Sequence, residues 1–138
     1  MGLILDSGPI IAGERRALTV QGFLQELRER YGEEEVIGFS TVTLVELAHG
    51  IARANTESRR RSRQLFVDEL VRDIPSYPLT VEIARLAGRL EGDGALRGIT
   101  IPFEDLLIGA TALHLGFAVV TGNVRHFSLI PGLNVRAF

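Results

Sequence analysis

The sequence predicts an α/β layer fold built on a central, mainly parallel sheet. Three observations point there. Short apolar runs alternate along the chain with longer segments of helical periodicity, the order expected of crossover units. The runs at 3–6 and 117–121 are apolar almost throughout, as in strands covered on both faces. The first of these runs closes on an acid, Asp6, at the strand end where parallel sheets gather their ligands.

Each element follows from a local signal. Residues 3–6 read as a buried strand, and Ser7-Gly8-Pro9 as the turn after it. Over 20–31, Phe23, Leu24, Leu27 and Tyr31 share one helical face, and Gly32 is a stop. Residues 36–39 form a second strand. Ser40 then caps a helix over 41–54. The charged segment 57–72 predicts an amphipathic helix burying Leu65, Phe66, Leu70 and Val71. Residues 74–79 carry Pro75 and Pro78, which confines them to an edge strand. Thr80 caps a helix to about position 90, resuming to 96 past Gly92 and Gly94. Pro102 suits the first turn of a helix over 103–115, which Gly116 ends. Strands at 117–121 and 133–137 complete the chain.

At 138 residues the chain fits one domain, 1–138, long enough to bury a core without staples. Cysteine is absent and all 15 basic residues are Arg. A thiolate nucleophile, a thiolate metal site, a Schiff-base Lys and a P-loop Lys are therefore excluded. The formal charge of −2 gives no global basic field for nucleic acid, so a polyanion site would be local. No run reaches the ~18 apolar residues of a membrane span. The first residues lack a basic segment followed by a long apolar stretch. A cytoplasmic protein with no membrane partner is the expectation.

Most acids have a bland reading. Glu33, Glu34 and Glu35 suit a solvated turn, and Asp68, Glu69 and Asp73 can pair with arginines of their own helix. Three acids differ. Asp6 ends a buried strand, as a ligand or as a cap for the next helix. Glu46 lies within Val42-Thr43-Leu44-Val45-Glu46-Leu47-Ala48, where an acid is unfavourable unless paired or metal-bound. Its alternatives are a pair with Arg53 or His49, or a capping box from Thr43. Asp105 opens the most apolar helix of the chain. There Glu104 suits the helix dipole and Asp105 suits a site. Asn123 follows the strand that ends at Thr121, as a site residue or a cap for a short helical turn. His126 reads as a surface or partly packed imidazole, and His49 and His114 as ordinary helix residues.

Carboxylates that converge repel one another unless a counter-charge holds them. A donor set of oxygens alone suits Mg²⁺ or Mn²⁺ over Zn²⁺. Such an ion activates water and stabilises charge on phosphoryl oxygens, so the residue types point to phosphodiester hydrolysis if they converge.

The motifs resemble those of PIN-domain ribonucleases of the VapC toxin type. They are Leu5-Asp6-Ser7; Ser40-Thr41-Val42-Thr43-Leu44-Val45-Glu46-Leu47 with Gly50-Ile51; Ile101-Pro102-Phe103-Glu104-Asp105-Leu106-Leu107-Ile108-Gly109-Ala110; and Thr121-Gly122-Asn123-Val124-Arg125-His126-Phe127. Together they span nearly the whole chain. The resemblance implies a PIN-like three-layer fold, with Asp6, Glu46 and Asp105 as a catalytic and metal-binding core and Glu46 reaching the ion directly or through water. It implies support from Thr121 and Ser7, and Asn123 in place of a fourth acid. It further implies a homodimer, an RNA substrate and silencing by a VapB-like antitoxin. Arg59, Arg60, Arg61 and Arg63 are candidates for touching RNA or antitoxin, or else a solvated helix face. With the three acids offset by an ion, the rest of the chain carries a positive formal charge. The rival readings are a catalytically decayed module that only binds an antitoxin or other protein, and a phosphatase for small esters. The latter lacks a second acid two residues after Asp6.

Overall fold

The computed structural model describes residues 1–33 and 35–138, so Glu34 of the acidic run lies outside the described residues. Glu33 is exposed, whereas Glu35 is half-buried rather than solvated. The elements run β1 (Gly2–Leu5), α1 (Ser7–Arg15), α2 (Val20–Tyr31), β2 (Val36–Ser40), α3 (Thr41–Ala52), α4 (Glu57–Asp73), β3 (Ser76–Tyr77), α5 (Val81–Leu96), α6 (Phe103–Leu115), β4 (Ala118–Thr121), α7 (Val124–Phe127) and β5 (Val135–Ala137). Among the described residues five strands form one sheet in the order β3-β2-β1-β4-β5, and every pairing is parallel.

Alternation along β1 explains the layers. Successive strand side chains point to opposite faces. Leu3 and Leu5 pack with Phe23, Leu27, Phe39, Phe66 and Leu70, from the side of α1, α2 and α4. Ile4 packs with Ile108, Ala112, Val119 and Phe127, from the side of α6 and α7. All three β1 side chains are fully buried, as a central strand between two helical layers requires. The short β3 at the sheet edge follows Pro75 and precedes Pro78, where a missing N–H does least damage.

Two local expectations are overturned. Ser7-Gly8-Pro9 is the first turn of α1 and not a free turn. Asp6 caps that helix, its side chain accepting from the Ser7 N–H, and Pro9 sits where a helix has no use for its N–H. On α4 the buried residues are Phe66, Val67 and Leu70, while Leu65 and Val71 are exposed. The stripe that faces the core runs i, i+3, i+4 through 63, 66, 67, 70 and 74, and Leu65 and Val71 flank it. Helix α5 passes its glycines without a break. Gly116 stops α6 at φ +71, a left-handed conformation that suits glycine.

The sheet order places the site. From β1 the chain moves to β2 and β3 on one side, then returns to β4 and β5 on the other. The reversal falls between β1 and β4, and the crevice beyond their carboxyl ends is where such sheets bind ligands. Asp6 follows β1, Thr121 ends β4, and α3 leaves β2 beside them.

Candidate active site

Asp6 is held by the sheet. Its N–H donates to the Val120 carbonyl at 3.0 Å, continuing the β1–β4 ladder past the end of β1. Its side chain is fixed at both oxygens: the Ser7 N–H donates to Oδ1 at 2.8 Å and the Thr121 hydroxyl to Oδ2 at 2.7 Å. The residue is only 4% exposed. Burial pushes its carboxyl above the usual range, against the two hydrogen bonds, and the charges of Asp105 and Glu104 push the same way.

Ser7 joins Asp6 to Glu46. While its N–H serves Asp6, its hydroxyl donates to Glu46 Oε2 at 2.9 Å. Neither bland reading of Glu46 is realised. Ser40 caps α3 by accepting from Val42, so the Thr43 capping box is not used, and the hydrogen-bond partner of Glu46 is Ser7 rather than Arg53 or His49. Burial lifts the Glu46 carboxyl to about 7, with the neighbouring Glu104 carboxylate and the Asp6 charge adding to the rise and Ser7 opposing it.

Glu104 is the residue the sequence reading passed over. It sits in the first turn of α6, as a dipole residue should, yet its carboxylate also faces Glu46 and Asp6. Asp105, next to it, accepts from His126: Nδ1 lies 2.7 Å from Asp105 Oδ2. His126 is thus a member of the site and more than a packed surface imidazole. The exposed Asn123 precedes α7 and sends its N–H to Thr121 Oγ1 at 2.9 Å, while its side chain makes no capping bond.

Four carboxylates, from the β1–α1 junction, α3 and α6, therefore share one electrostatic neighbourhood. Among the described residues, no three acidic or imidazole side chains stand close enough to enclose an ion between them. Magnesium does not ask for such a cage. It keeps several waters and takes one or two carboxylates directly. Burial first, and the neighbouring carboxylates after it, raise the carboxyls of Asp6 and Glu46, and hard oxygen donors fit Mg²⁺ or Mn²⁺.

Beside Glu46 lies a cavity of about 110 Å³ between α1, α3 and α4, walled by Ile10, Ile11, Leu47, Ile51, Phe66 and Val67 together with Arg63. The Arg63 guanidinium donates to the Gly50 carbonyl at 2.7 Å, and Arg60 pairs with Glu57 at 2.7 Å. Arg59 and Arg61 stay exposed. The sequence pattern separates none of these four roles.

An all-parallel α/β sheet with carboxylates gathered at its switch point defines a class, that of α/β proteins with an acid-lined site at the strand ends. The PIN domain family model matches residues 3–133, and the chain belongs to the PIN-domain family. It is 33% identical over 135 residues to the Rickettsia felis protein named Ribonuclease VapC1, covering 98% of this chain and 95% of that one. It is 25% identical over 119 residues to the Salmonella typhimurium tRNA(fMet)-specific endonuclease VapC, covering 86% of this chain and 88% of that one. Its fold is that of VapBC2 from Rickettsia felis, solved bound to a promoter DNA fragment, at a TM-score of 0.82 and 20% identity over 100% of this chain and 99% of that one. No helix among the described residues is long and apolar enough to cross a membrane.

Proposed function

We propose that this chain is an endoribonuclease toxin of the VapC type, one domain that hydrolyses RNA phosphodiester bonds with Mg²⁺ or Mn²⁺. The observation that carries the reading is the crowding of Asp6, Glu46, Glu104 and Asp105 at the β1–β4 switch point, two of them pushed above the usual carboxyl range.

Asp6 and Asp105 would hold the ion, with Glu46 reaching it directly or through water. When bound, the ion supplies charge to the phosphoryl oxygens and lowers the pKa of a coordinated water. The protein's own part is orientation. Thr121 and Ser7 fix the Asp6 carboxylate in one plane, so it loses little freedom on engaging a ligand. Glu46, held by Ser7, would be ionised beside the ion, where it could accept a proton from a coordinated water. Asn123 can offer its amide to a water or a phosphate oxygen but brings no charge.

The partners follow from surface chemistry and the relatives' names. The apolar cavity beside Glu46 would take a side chain of a VapB-like antitoxin segment lying over the site. Exposed Leu96, Phe103 and Val81 supply apolar surface for a homodimer. The exposed Arg59 and Arg61 would take RNA backbone, which the planar guanidinium binds bidentately. Cytoplasmic RNA is the expected substrate pool. Incubating the purified chain with structured RNA, with and without Mn²⁺, tests the reading. Cleavage should require the ion and vanish in Asp6→Asn and Asp105→Asn. Cleavage that survives both substitutions sinks the assignment, and antitoxin binding without any Mn²⁺ binding would mark a decayed module.

A further inference from the structure

His126 enters the site through a packing device. Helix α7 is a single turn, and Phe127 beneath it is fully buried against α6. The place where this turn docks is Gly109, one helical turn beyond Asp105 and on the same face of α6. A Cβ on Gly109 would clash with Ile130 Cδ1 and sit 3.3 Å from Leu133 and 3.5 Å from Phe127. The missing side chain leaves room for the Ile130 terminal methyl just after α7, and with Phe127 buried beside it the turn is seated so that the imidazole meets Asp105.

The contact that results is short and directional. Nδ1 of His126 lies 2.7 Å from Asp105 Oδ2, with side chains 40% and 13% exposed. A carboxylate oxygen accepts and a ring N–H donates, which assigns the hydrogen to Nδ1. The other site acids named as ligands are held in the same manner by neutral groups: Asp6 by Thr121 and the Ser7 N–H, Glu46 by the Ser7 hydroxyl. Each keeps an orientation it would otherwise lose to free rotation.

We infer that His126 is the positioning residue for Asp105, fixing one carboxylate oxygen so that the other faces the divalent ion. This rests on the metal reading given above. Groups that orient metal-ligating side chains in this way change metal affinity by about 10- to 100-fold when removed. The role belongs to the N–H donor and not to the ring as such, because the Asn amide nitrogen occupies nearly the place of His Nδ1.

Titration calorimetry with Mn²⁺ alone, on the full chain, tests it, with metal-free melting curves alongside. His126→Ala should weaken Mn²⁺ binding by about tenfold or more, His126→Asn should recover most of that loss, and the half-exposed position should leave metal-free melting nearly unchanged in both. Mn²⁺ affinity within twofold of wild type in His126→Ala overturns the inference and leaves the metal reading intact. So does a loss in His126→Asn equal to that in His126→Ala. Wild-type protein that binds no Mn²⁺ overturns both together.

Discussion

Asp6 and Asp105 face the same crevice but are held by different parts of the molecule. Asp6 is fixed by the sheet. Its backbone extends the β1–β4 ladder, and both its oxygens meet donors whose places follow from strand register. Asp105 hangs from the first turn of α6, and its donor comes from a four-residue helix kept in place by packing around Gly109. One half of the site is therefore as rigid as the core, while the other depends on how one small segment docks. Local stability follows such differences in burial and hydrogen bonding.

The largest expected effect tests the chemical likeness of the two acids and the physical difference between them. Asp6→Asn and Asp105→Asn should each lower kcat/KM on RNA by about a thousandfold, since metal-borne charge stabilisation is worth several kcal/mol. Melting without metal should separate them. Asp6→Asn removes a buried charge that its neighbours repel, so it should raise the melting temperature at pH 8. Asp105→Asn removes a charge that His126 already faces and should not. Equal stabilisation by both would erase the distinction between the halves. A site that becomes more stable as it loses activity is the usual trade-off.

Gly109→Ala comes next and acts on one half alone. The added methyl forces the Ile130 terminal methyl to shift within the buried seat of α7, a change that destabilises by about 1 kcal/mol. Because the α7 segment carries His126, Mn²⁺ affinity should fall with stability, while the Asp6 hydrogen bonds persist. Denaturant melts give the first quantity and calorimetry the second. A stability loss with unchanged Mn²⁺ affinity would show that α7 docking and Asp105 orientation are independent.

How much of this was legible in the sequence follows the same division. The sheet half could be read at its acids: Asp6 and Glu46 stand out as acids in or at the end of apolar runs, and burial of such residues demands a reason, whereas Thr121 enters only through the family resemblance. The α6–α7 half could not. Glu104 has an adequate explanation in the helix dipole, which hides its second role. His126 sits in a polar, exposed-looking loop, and its partner lies 21 residues away, beyond any local period. Helix α1 was missed because Ser-Gly-Pro reads as a turn until Asp6 is seen to cap it. The signal that could have helped was Gly109, an interruption in the most apolar helix of the chain, since a glycine there usually marks a close approach.

A pH series probes the crowding directly. The Glu46 carboxyl sits at about 7 in the folded, metal-free chain, against about 4.3 for a free Glu. A folded pKa above the unfolded one favours the native state while the group stays protonated. This contribution is whole below about 4.3 and is lost as pH rises through about 7; Asp6, also raised, acts in the same direction. Metal-free stability should therefore decline between pH 5 and pH 8. Mn²⁺ binding must displace those protons, so its affinity should climb over the same interval and level off above 7. Calorimetry in buffers of different ionisation enthalpy would count the protons released. None released at pH 6 would contradict the raised carboxyls.

The smallest effect asks whether the sheet half tolerates an unmade bond for the sake of its geometry. Thr43 and Thr111 are both fully buried. Thr111, deep in α6, donates its hydroxyl to the Leu107 carbonyl at 2.8 Å, the usual refuge of a helical Thr. Thr43 lies in the first turn of α3, where the residue four back belongs to β2, and among the described residues its hydroxyl has no partner. A buried hydroxyl left unsatisfied costs roughly 1–3 kcal/mol. Val has nearly the same shape and no such need. Thr43→Val should therefore raise stability by about 1 kcal/mol, while Thr111→Val should be neutral or slightly destabilising. Glu46 stands one turn further along α3, and Ser7, not Thr43, holds it, so Mn²⁺ affinity should not move. Paired urea melts decide the matter. A Thr43→Val protein less stable than wild type would show that this hydroxyl is satisfied after all, and that the rigid half of the site is better paired than its hydrogen bonds suggest.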